Sequence, residues 1–75
     1  MMTNIYYVKK GNHITIYNVP WDFIRELQDT LGNVEDYDKL LNGTFKVVVR
    51  VPIFSNQKEI SFIKELIEKY EKENQ

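Results

Sequence analysis

Few side chains in this sequence of 75 residues could do chemistry, and their placement argues against it. His13 is the one histidine, and Ser55 and Ser61 are the only serines. A hydroxyl becomes a nucleophile only beside a base, and reacting groups need a concave pocket around them. His13 falls at the tip of a predicted hairpin, Ser55 at a predicted helix start and Ser61 on the wet side of that helix. His13 therefore reads as a solvated turn residue or a contact, and Ser55 as local capping chemistry. Asp36-Tyr37-Asp38 has the D-x-D look of a cation ligand. A divalent ion needs several convergent oxygens, however, and no glycine-bearing loop supplies them here. With Glu35 the run also matches the first turn of a capped helix, where carboxylates meet the positive end of the dipole. No phosphate-binding glycine loop, dinucleotide fingerprint or nucleophile elbow is present. The residues predict no enzyme, no metal and no cofactor.

Recognition is better served. In the predicted strands Tyr6, Val8, Lys10, His13 and Tyr17 fall on one side of a hairpin, and Lys46, Val48 and Arg50 on one side of a later strand. Together, with Thr15 between them, these eight form the predicted partner-binding set. Aromatic and arginine side chains dominate binding hot spots, and a contiguous apolar patch on so small a domain implies an occupant. The plainer reading is that the chain's own tail or a second copy hides this face, as bare sheets are commonly hidden.

The elements that must position these residues follow from periodicity. Ile5-Tyr6-Tyr7-Val8 and Ile14-Thr15-Ile16-Tyr17 are β-rich runs around Gly11-Asn12, two residues that tolerate positive φ. A turn centred there pairs Tyr7 with Ile16, Val8 with Thr15 and Tyr6 with Tyr17, leaving Ile5, Tyr7, Ile14 and Ile16 on the inner face. Pro20 opens a helix with Asp22 in its first turn, Phe23, Ile24, Leu27 and Leu31 on one stripe, and Gly32 as its stop. Asn33 with Asp36 predicts the cap of a second short helix carrying Val34, Tyr37 and Leu41, ended by Asn42-Gly43. Thr44 to Val51 reads as a strand with Phe45, Val47, Val49 and Val51 inward, stopped by Pro52. Asn56 and Glu59 suggest a capping box for a last helix whose stripe is Ile60, Ile63, Leu66, Ile67 and Tyr70, with Phe62 at its margin. Glu65–Lys69 and Glu68–Lys72 are i,i+4 pairs on its wet side, and the tail beyond Tyr70 is expected to fray. Trp21 is off the main stripe, and the area it can bury assigns it to the core.

The predicted fold class is α+β, ordered β-β-α-α-β-α along a single domain spanning residues 1–75. The helices pack on one face of a three-stranded antiparallel sheet, with the first strand in the middle. A chain this short buries only about 60% of its unfolded surface, and without cysteine it has no disulfide. Assembly, including a homodimer, is the remaining source of support. The longest apolar runs, Ile5-Tyr6-Tyr7-Val8 and Val47-Val48-Val49, are far below a membrane span. Met1-Met2-Thr3-Asn4 has neither the basic nor the apolar region of a leader, so the expected location is the cytoplasm. Residues 1–19 carry Lys9 and Lys10 without an acid, whereas residues 20–39 carry six acids against Arg25 and Lys39. Basic strands and acidic helices are therefore expected to present opposite signs.

Lys9-Lys10-Gly11, Ile14-Thr15-Ile16 and the helix end Leu31-Gly32 resemble, over about half the chain, the swapped-hairpin AbrB-type DNA-binding domains. The fit needs insertions before the proline and inside the helix, and Tyr37-Asp38 stands where that family has Gly-Asp. The resemblance implies only a DNA-binding alternative. The absence of alanine and the abundance of Lys, Ile, Asn and Tyr match the coding bias of AT-rich genomes, common in low-GC bacteria and their phages. The combined expectation is a protein-binding module, of the kind a phage or mobile element uses to block a host protein surface. The alternative is a small regulator that binds single-stranded nucleic acid or DNA through aromatic and basic side chains.

Overall fold

The computed structural model describes residues 4–40, 42–51 and 57–73. Along the chain run β1 (Tyr6–Lys10), β2 (His13–Val19), α1 (Trp21–Thr30), β3 (Val34–Lys39), β4 (Phe45–Arg50) and α2 (Gln57–Glu73). The first hairpin forms as its pattern dictates. Gly11 takes φ 58° in the turn, and Tyr6 faces Tyr17, Tyr7 faces Ile16 and Val8 faces Thr15. Helix α1 starts after Pro20 and stops at Gly32, which has φ 66° and donates its N–H to the Leu27 carbonyl.

The sheet corrects the expectation in two respects. It has four strands rather than three, and its order is β1-β2-β4-β3, so β1 lies at an edge and not in the middle. The difference traces to Val34–Lys39, which form β3 instead of part of a second helix. Leu40 donates to the Thr44 carbonyl at 2.7 Å, and Gly43, at φ 86°, closes the turn in a conformation that suits glycine. The chain crosses from β2 through α1 to β3, then doubles back to lay β4 in the gap. All three neighbouring pairs are antiparallel. This order gives the most apolar strand two neighbours: Val47 and Val49 are fully buried, while charged β3 takes the rim.

Both β2 and β3 are bulged. Between Ile16 and Val19 the register slips, with Tyr17 and Asn18 set against Lys46 alone. Asn18 carries φ 67° there and donates its side-chain amide to the Asn4 carbonyl at 2.8 Å. A second slip between Val34 and Asp36 leaves Val34 opposite Val49 and Tyr37 opposite Val47, both on the inner face.

Both helices cover one side of the sheet. Ile14, Ile16, Val47 and Val49 from the strands meet Phe23 and Leu27 of α1 and Ile63, Leu66 and Ile67 of α2 in one core cluster. Phe23 stacks edge-on to Tyr70 at 5.4 Å. Glu26 of α1 ties the helices together by accepting the Tyr70 hydroxyl at 2.9 Å and Lys69 Nζ at 3.2 Å. Lys69 thus bridges to α1 and not to Glu65, and no Glu68–Lys72 ion pair is present among the described residues. Trp21 is also corrected: it is 42% exposed, leaning on Tyr37 and Phe45 at 5.2 and 5.5 Å. As the first residue of α1 it reaches past the core stripe to the β3 margin. Pro52 and Asn56, expected as strand stop and helix cap, lie outside the described residues, as do Leu41 and the end of the tail.

Candidate functional site

Alternation along the four strands builds the open face in three rows. Tyr6, Tyr17, Lys46 and Asp38 form the first, and Val8, Thr15, Val48 and Asp36 the second. Lys10, His13 and Arg50 form the third, where Glu35 reaches across Arg50 so that His13 Nε2 donates to its Oε1 at 2.8 Å. All eight residues singled out in the sequence thus share one side of the sheet, opposite the helices. Lys10, His13 and Arg50 are exposed, and Tyr17, Lys46 and Val48 are half-buried by their neighbours.

Its aromatic centre is pre-formed. Tyr6 and Tyr17 stack with ring centroids 4.7 Å apart and planes 13° from parallel, and Tyr6 remains 50% exposed. Val8, one row along, is 45% exposed. The bulge at Asn18 helps here: it takes up the extra residue so that Ile16 and Val19 are both fully buried while Tyr17 stays on the open side.

The electrostatics differ from the expectation of basic strands opposite acidic helices. Because β3 is a strand, Glu35, Asp36 and Asp38 lie on the same face as Lys10, Lys46 and Arg50. Cations occupy the middle and one side of the face, and carboxylates its far edge. Sequence reasoning missed these three acids because it placed them on a helix. The alternation of Asp36 and Asp38 around Tyr37 was the available signal.

No family model, curated protein or solved structure matches the chain. The geometry therefore carries the functional reading.

Beyond the open face, a cavity of about 560 Å³ lies at the end of α1, with Glu35 and Arg50 on one wall and Glu59 on another. It shares two side chains with the polar corner around His13. A smaller groove of about 320 Å³ runs between α1 and β3, flanked by Trp21 and Tyr37. Ser61 is exposed on α2, and His13 is bonded to a carboxylate and not to a hydroxyl. Among the described residues no three His, Asp or Glu side chains converge as a metal site would need, and no helix is long and apolar enough to cross a membrane.

Proposed function

We propose that this chain is a non-enzymatic binding module that seats the open face of its sheet on a larger protein. In this reading it acts as a phage- or mobile-element-type inhibitor or regulator, blocking a functional surface of a cytoplasmic host protein. The observation that carries it is the stacked Tyr6–Tyr17 pair, half exposed beside Val8 on the side away from both helices. Rigid aromatic side chains give up little entropy on binding and supply much of the contact area at hot spots. Around that centre the face mixes three cations with three carboxylates, the chemistry of a protein rim. The complementary surface would set acids against Lys10, Lys46 and Arg50 and a base against Asp36 and Asp38.

The test is capture from a lysate of a low-GC bacterium, comparing the native chain with a Tyr6→Ala, Tyr17→Ala, Arg50→Ala variant. A protein held at equal stoichiometry by the native chain and released by the variant, with unchanged circular dichroism, is the expected result. Failure to retain any stoichiometric protein overturns it.

Aromatics beside Lys10 and Lys46 also suit stacked bases, which keeps single-stranded nucleic acid as the second reading. Phosphate contacts dominate such affinity, and the carboxylates of β3 on the same face oppose them. Fluorescence anisotropy over a salt series separates the two. Oligonucleotide binding that falls steeply with salt would favour nucleic acid, and none at low salt removes it.

A further inference from the structure

The two edges of the sheet are finished differently. On β3 the Leu40–Thr44 hydrogen bond fixes which residues face β4, and by alternation the backbone of Tyr37 turns outward. That outward N–H is already taken, donating to Asp36 Oδ1 at 2.8 Å. The Val34 N–H is likewise taken by Gln28 Oε1 at 3.3 Å. With a bulge and four charged side chains in six residues, β3 carries the devices that prevent strand addition.

Strand β1 has no bulge, no outward N–H within it is taken among the described residues, and its charged side chains are only Lys9 and Lys10. It is regular over Tyr6–Lys10, and among the described residues its single neighbour is β2. A two-residue turn makes Lys10–His13 a hydrogen-bonded pair, so Val8–Thr15 and Tyr6–Tyr17 are bonded too, and the backbones of Tyr7 and Lys9 turn outward. Glu71 Oε2 accepts the Ile5 N–H at 3.2 Å and so marks where the open edge begins.

We propose that β1 pairs antiparallel with β1 of a second copy of this chain, joining two four-stranded sheets into one of eight strands about a two-fold axis. The residue types select the register. With Val8 on the axis, Tyr7 and Lys9 of one copy exchange backbone hydrogen bonds with Lys9 and Tyr7 of the other. Tyr6 then faces Lys10 on the open side and Tyr7 faces Lys9 on the helix side, so every lysine meets a tyrosine ring and no lysine opposes a lysine. Val8 meets its own copy across the axis. An interface of this kind is self-complementary, as a two-fold requires, and it adds the assembly that a cysteine-free chain of this size lacks. Pairing uses the strand edge and leaves the open-face side chains where they are, so it stands or falls separately from the partner proposed above.

Sedimentation equilibrium at micromolar concentration should give twice the 9.0 kDa chain mass. Because the chain has no cysteine, single substitutions report the register. A non-hydrogen-bonded antiparallel pair brings Cα atoms to about 4.5 Å, within the span of a disulfide. Val8→Cys should therefore form a covalent dimer under mild oxidation at least tenfold faster than Tyr6→Cys or Lys10→Cys. A native chain that sediments at the single-chain mass overturns the proposal, as do equal cross-linking rates for the three variants.

Discussion

Glu26 holds the two helices together by an exposed contact that responds to pH. Hydrogen bonds from the Tyr70 hydroxyl and from Lys69, together with the positive charge of Lys69, hold its carboxyl below its ordinary value, against an opposing effect of burial. A carboxylate with a lowered folded-state pKa stabilises the fold above its unfolded pKa, and that contribution disappears as pH falls through the folded value. Glu26→Gln should therefore lower stability at neutral pH by less than about 1 kcal/mol, the scale of exposed ion pairs. The gap from the native chain should close in acid, as urea titrations at two pH values would show. A gap of the same size at both values would mean that side-chain shape, and not charge, sets the loss. At this scale the sequence was readable on the strands: the eight open-face residues share a side because β alternation needs only the strand's existence. It was unreadable at Trp21, whose exposure depends on where β3 runs.

At the scale of elements, two bulges decide what periodicity could reveal. A bulge inserts one residue, so positions three apart come to share a face, as they do on a helix. Val34 and Tyr37 are such a pair, which is why residues 33–42 looked helical and β3 was missed. Ile16 and Val19 are another, buried together although strict alternation would separate them. The regular hairpin, β4 and both helices, whose stripes carry no insertion, were legible. The bulge in β2 rests on Asn18 at φ 67°, which a β-branched residue resists. Asn18→Val should destabilise the domain by about 1–2 kcal/mol, with Asn18→Gly closer to the native chain. Thermal unfolding of the pair checks this, and equal midpoints would mean the bulge relaxes out of the left-handed region.

For the whole molecule, stability has little reserve. At the usual 0.05–0.15 kcal/mol per residue the domain holds about 4–11 kcal/mol. Phe23 lies fully buried where α1, the sheet and Tyr70 of α2 meet. Phe23→Ala should cost about 3–5 kcal/mol, enough to remove most of the cooperative unfolding transition seen by circular dichroism. An unchanged transition would place the core elsewhere. The strand order was the least legible feature, because the position of β4 is fixed by a turn and a neighbour that residue patterns describe only one at a time. That order also has a consequence for synthesis. In a nascent chain released from the ribosome only as far as Leu40, the strand that lies between β2 and the residues of β3 is still in the exit tunnel. Until residues 45–50 emerge, neither flank has its hydrogen-bonding partner, so no N-terminal fragment ending before Arg50 can close the sheet.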